Sequence, residues 1–105
     1  MRTTVITYRT TVDTADENQH LIEQVFAELE TTGPAGFRYQ SFRLDDGITF
    51  VHVVEAEDDV DPLPQLPAFQ AFQRTISDRL AADPQRSPAH RVGSYISQRS
   101  VTAGR

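Results

Sequence analysis

The chain has 105 residues, which is enough for one core, and it reads as a single domain over 1–105. An apolar fraction of 38% and a charged fraction of 24% exclude an intrinsically disordered chain and predict folding without a cofactor. The net charge is −5, and the ten arginines are spread so that no five consecutive residues hold two, so no basic stripe awaits a nucleic acid.

The absence of cysteine excludes disulfides, thiolate zinc sites and a cysteine nucleophile, and it fits a reducing compartment. The N-terminal MRTTVITYRTTV has no signal-peptide core and nothing near the roughly 20 apolar residues of a membrane span. A cytoplasmic protein without a membrane partner is the expectation.

Residues 3–12, TTVITYRTTV, are rich in β-branched and aromatic side chains and predict a first strand. Thr14-Ala15-Asp16-Glu17 has the T-x-x-E form of a capping box, which predicts a helix start. Leu21, Ile22, Val25, Phe26 and Leu29 then form one apolar stripe, until Gly33-Pro34 stops the helix. Residues 37–44 and 48–55 predict two strands joined by Asp45-Asp46-Gly47.

A three-residue turn there sets Leu44 opposite Ile48 and gathers Phe42, Leu44, Ile48, Phe50 and Val54 on one face, with Gln40 paired to His52. A two-residue Asp46-Gly47 turn places His52 with Ser41, Tyr39 and Arg43 instead. The first register is preferred because it groups the large apolar residues.

Glu55 to Pro67 is acidic, carries three prolines and predicts a loop. Pro67 opens a second helix over 67–82 with a stripe of Leu66, Phe69, Phe72, Ile76 and Leu80. Residues 90–99, HRVGSYISQR, predict a fourth strand, and the last six residues a tail.

The order β-α-β-β-α-β implies an α+β, ferredoxin-like fold, a four-stranded antiparallel sheet with both helices on one face. Strands two and three carry bulky apolar groups on both faces, so the face the helices leave open needs a cover: a second copy of the chain, a ligand, or both.

His52 lies within the apolar run Ile48 to Val53. It is either a core imidazole satisfied by a neighbour or a proton acceptor or donor in a pocket. Asn18 points into the stripe of helix one, where it serves a turn contact or faces a ligand. Tyr8, Tyr39 and Tyr95 can each set a phenol at a pocket edge or fill the core. The three histidines show no metal-ligand spacing, and the Asp58, Asp59 and Asp61 run lacks a calcium-loop pattern, so no metal is expected.

With the elements placed, the chain resembles the dimeric α/β-barrel superfamily and, within it, the antibiotic biosynthesis monooxygenase-like group. The resemblance covers residues 3–98 and rests on the element order, the hairpin FRLDDGITFVHVVE, the run LPAFQAFQRTISDRL and the closing RVGSYIS. It implies a homodimer through the uncovered sheet face and a cavity between sheet and helices for a small aromatic or polyketide-like compound. Some members oxidise quinol-type substrates with O₂ without metal or flavin. On that implication His52 is the candidate base, and Asn18, Gln40, Phe42, Phe50, Tyr8 and Tyr95 are candidate ligand-binding residues. Haem-degrading and quinone-forming members both use a tryptophan, which this sequence lacks.

Overall fold

A computed structural model describes residues 1–97. Strand β1 spans Arg2–Arg9, helix α1 Ala15–Thr32, β2 Phe37–Arg43, β3 Thr49–Ala56, helix α2 Pro67–Arg74 and β4 Gln85–Ala89. The sheet runs β2-β3-β1-β4 with every pair antiparallel, the ferredoxin-like arrangement. The predicted α+β class and element order describe the molecule.

Four local expectations change. Thr14 does not cap α1, because its hydroxyl bonds the Thr11 hydroxyl at 2.8 Å and donates to the Arg79 carbonyl at 3.0 Å. The capping residue is thus recruited to tie α1 to the segment after α2. Helix α2 ends at Arg74, eight residues short of the predicted Ala82, and a 3-10 turn over Ile76–Asp78 carries the chain on. That break lets Leu80 turn back and bridge to Thr10 beside the sheet. The fourth strand lies at Gln85–Ala89, upstream of the predicted 90–99, because residues 85–89 are the ones brought into register with Thr3–Thr7 of β1. Residues 90–97 form no strand, and 98–99 and the predicted tail lie outside the described residues.

The fourth change is the hairpin register. Ser41 pairs with His52, Arg43 with Phe50 and Tyr39 with Val54, one residue away from the preferred pairing. The loop holds four residues, Asp45 to Ile48, since the Leu44 amide bonds the Thr49 carbonyl. The Asp46 carboxylate accepts from the amides of Ile48 and Thr49 and from the Thr49 hydroxyl, which hold its pKa below the usual range. Gly47 takes φ +79°, a conformation that side chains rarely adopt. One extra loop residue reverses the parity of the strand, so every side chain of β2 changes face relative to β3.

The even-numbered residues of β3 and β1 and the odd-numbered residues of β2 therefore lie under the helices. Tyr8, Ile22, Val25, Phe50, Leu63, Leu66 and Phe72 are buried together there. Phe26 of α1 stacks on Tyr39 at 4.8 Å, and Phe72 of α2 meets His52 edge-on at 6.2 Å. Each such aromatic removes enough apolar area from water to contribute about 2–3 kcal/mol.

Candidate functional site

Helices and sheet do not close on each other completely. A cavity of about 580 Å³ remains between them, large enough for a molecule of several fused rings. Ile6, Val54 and Phe37 of the sheet and Phe69, Phe72 and Ile76 of the α2 region give it apolar walls. The acidic, proline-rich loop forms part of its rim through Val60, Asp61, Leu63 and Pro64. Arg2 fastens that loop to the sheet by donating to the Val60 carbonyl at 2.8 Å.

The polar end of the cavity is built by register. His52 sits on β3 between Tyr8 on β1 and the Tyr39–Ser41 pair on β2. Its Nε2 is 2.9 Å from the Tyr8 hydroxyl, and its Nδ1 is 2.8 Å from the Tyr39 hydroxyl and 2.6 Å from the Ser41 hydroxyl. Tyr8, Tyr39 and His52 all line the cavity. Burial penalises the imidazolium and lowers the His52 pKa to about 4, so the ring is neutral at neutral pH. Burial likewise raises the pKa of both tyrosines, opposed at Tyr8 by the Asn18 amide and at Tyr39 by the Ser41 hydroxyl.

Behind this end lies a second layer. Asn18 is fully buried and donates from Nδ2 to the Tyr8 hydroxyl at 2.9 Å. Its Oδ1 accepts from Arg79 Nε at 2.9 Å. Arg79 is 1% exposed and spends its other nitrogens on the Thr75 hydroxyl and the Phe72 carbonyl, with its guanidinium 5.1 Å from the Phe72 ring centre. Among the described residues no carboxylate lies within ion-pair distance of it. Burial lowers its pKa, opposed at longer range by Tyr8, Glu17 and Asp78.

Of the residues singled out in the sequence, Tyr8, Tyr39 and His52 reach the cavity, and Asn18 stands directly behind Tyr8. Phe50 is 2% exposed and stacks against Tyr8 at 5.7 Å as core. Gln40 and Phe42 are on the opposite face of the sheet, exposed, because the register moved them there. Tyr95 is 89% exposed on the segment after β4. His20 and His90 are exposed too, and the described residues contain no group of three or more His, Asp or Glu placed to share a metal ion.

Arg79 was not singled out, although a signal was present. It follows Phe72 by seven residues and Ile76 by three, which puts a cation on the apolar stripe of helix two. Ser41 follows from the two-residue turn, whose parity equals that of the four-residue loop.

No protein-family model matches the sequence, and no curated protein matches it. Solved structures do match in fold. A candidate antibiotic biosynthesis monooxygenase from Nitrosomonas europaea superposes with a TM-score of 0.73 at 13% identity, covering 89% of this chain and 100% of that one. Another from Caulobacter crescentus gives 0.67 at 20% identity over 88% of this chain and 90% of its own. A single-site variant of SnoaB, a cofactor-independent oxygenase from Streptomyces nogalater, gives 0.63 at 14% identity over 89% and 94%. The chain has the ferredoxin-like fold of the antibiotic biosynthesis monooxygenase-like proteins.

Proposed function

We propose that this chain takes a small aromatic or polyketide-like compound into the cavity and oxidises it with O₂ as a cofactor-independent monooxygenase, working as a homodimer. The observation that carries the reading is the cavity itself: apolar-walled, of multi-ring size, and ending on the hydrogen-bonded cluster of Tyr8, His52 and Tyr39, with Ser41 bonded to His52 beside it. A flat ring fits against Phe72 and Ile6, while one polar atom of the ligand meets the hydroxyls.

For a phenol-type ring the reaction balances without a reductant. The hydroxyl hydrogen and one ring hydrogen leave with one oxygen atom as water, the other oxygen atom becomes a quinone carbonyl, and O₂ takes all four electrons. The protein's part is to bind the ring, exclude water and stabilise the electron-rich, anionic form by hydrogen bonding. His52 is neutral and both of its nitrogens are engaged. Its assigned role is therefore to hold the hydroxyls rather than to take the substrate proton directly.

That same engagement favours a second reading, a barrel that binds the compound without turning it over. An oxygen electrode separates the two. Oxygen uptake on 1-naphthol or anthrone, matched mole for mole by quinone-type product, supports the oxygenase, whereas saturable binding with no uptake above buffer leaves the binder.

Dimerisation is supported by the open side of the sheet. Val5, Val51 and Val53 are only half buried there, with Phe42 51% exposed. Beyond β4, Val92, Tyr95 and Ile96 are exposed as well. A second copy brings the same apolar face and covers both. Sedimentation equilibrium should give twice the 11.8 kDa chain mass at micromolar concentration, and a lasting monomer refutes this part.

A further inference from the structure

The buried polar cluster has a direction. Guanidinium nitrogens only donate, so the Asn18 atom facing Arg79 is the amide oxygen, and the atom facing Tyr8 is the amide nitrogen. The Tyr8 oxygen thus accepts from Asn18. Its own proton sits in a buried site with one remaining partner among the described residues, His52 Nε2 at 2.9 Å, and an unspent buried hydroxyl proton is costly. Tyr8 therefore donates to Nε2.

A neutral imidazole holds one proton, so it lies on Nδ1 and is offered to the Ser41 and Tyr39 oxygens at 2.6 and 2.8 Å. Each of those two hydroxyl oxygens is the acceptor there, so neither hydroxyl proton is spent on His52. Tyr39 is a wall of the cavity and Ser41 is not one of its lining residues, so the Tyr39 hydroxyl proton is the one that meets a ligand.

We infer that Arg79 and Asn18 are positioning residues that set the sense of a hydrogen-bond chain through Tyr8 and His52, so that Tyr39 presents its hydroxyl proton to the ligand. The ligand atom at that point is then an acceptor, a carbonyl or phenolate oxygen, and the cavity selects aromatic ketones, quinones and phenolates over hydrocarbons of the same shape. The ligand class deepens the proposed function and rests on it; the direction of the chain does not.

Arg79, buried and without a carboxylate in ion-pair range among the described residues, fits this role. A neutral side chain able to turn either way, such as glutamine, would leave the sense of the Asn18 amide open, whereas a guanidinium fixes it.

The His52 tautomer tests the chain without any ligand. Long-range ¹H–¹⁵N correlation on ¹⁵N-histidine-labelled protein reads which ring nitrogen carries the proton, with His20→Gln and His90→Gln removing the two exposed rings from the spectrum. The expected result is Nδ1–H, and Nε2–H overturns the inference. Asn18→Asp is nearly isosteric and keeps a partner for Arg79, but it accepts from Tyr8 instead of donating. The chain should reverse, giving Nε2–H on His52 and turning the Tyr39 proton inward. A folded Asn18→Asp protein that keeps Nδ1–H refutes the positioning role, and should that variant not fold, the parent tautomer still decides.

Ligand selection is read by calorimetry with 1,4-naphthoquinone and naphthalene. Tyr39→Phe and Asn18→Asp should each weaken naphthoquinone binding roughly tenfold and leave naphthalene unchanged, the size expected for one lost hydrogen bond. Equal weakening of both probes overturns the donor assignment. Binding of neither probe to the parent protein overturns the proposed function, while the tautomer still rules on the chain.

Discussion

The two faces of the sheet are made from the same kind of strand residues and do opposite work. Under the helices, apolar groups enclose a polar cluster whose partners are all internal. On the open face, valines and Phe42 are half covered, and the charged group there, Glu55, faces Arg38 and Arg91. A buried hydroxyl or imidazole is held by several bonds at once and orders its neighbours. Glu55 is buried but Arg38 and Arg91 are exposed, so water competes for the guanidinium side of each pair and the pairs order little. On the proposed function, the covered face is the place for chemistry and the open face the place for association.

Substitutions should divide along the same line, with monomer stability sensitive on the covered face and subunit association on the open one. The largest effect is expected for Phe50→Ala. It empties a site against Tyr8 in the core and should cost about 3–5 kcal/mol in urea unfolding at fixed protein concentration. A loss below 1 kcal/mol would mean that the core there is looser than described.

His52 comes next, through pH. Its folded pKa, about 4, lies below the unfolded value of 6.5, so the unfolded chain takes up the proton first as pH falls. Stability is full above pH 6.5 and is lost progressively down to about pH 4, by roughly 3 kcal/mol. In a His52→Gln variant the slope between those limits should flatten. An unchanged slope assigns the pH dependence to other groups.

On the open face, Phe42→Arg should leave the unfolding free energy of the dilute monomer in urea within about 0.5 kcal/mol, while weakening association at least about tenfold by sedimentation. Equal association in parent and variant places the interface elsewhere. The smallest effect belongs to Arg38→Ala. Its side chain is 57% exposed in a 3.5 Å ion pair with Glu55, and the change should stay at or below about 0.5 kcal/mol.

The hairpin shows how local chemistry and global parity part company. Asp45-Asp46-Gly47 announces a turn, and Gly47 does take the left-handed conformation. Nothing in those three letters says that Ile48 joins the loop. The Asp46 carboxylate decides that by binding the Ile48 and Thr49 amides. The preferred register grouped the large apolar residues of one hairpin, but this hairpin lies between two unlike environments, helices on one side and an open face on the other. Phe42 is left exposed so that Tyr39 and Ser41 can reach His52. Helix two shows the same limit, since its apolar stripe continues through Leu80 but its backbone breaks at Thr75 to bring Leu80 to Thr10.

By itself the sequence determined the number, kind and order of the elements, because periodicity and turn residues act over a few neighbours. It also marked His52, Tyr8 and Asn18 as polar groups headed for the interior. Only the tertiary structure decided which of them meet. Arg79 reaches Asn18 across 61 residues and Tyr8 reaches His52 across 44, and those contacts depend on strand order and on one residue of loop length. Hydrogen bonds need partners within about 3 Å, and a periodic pattern carries no information on distance between elements.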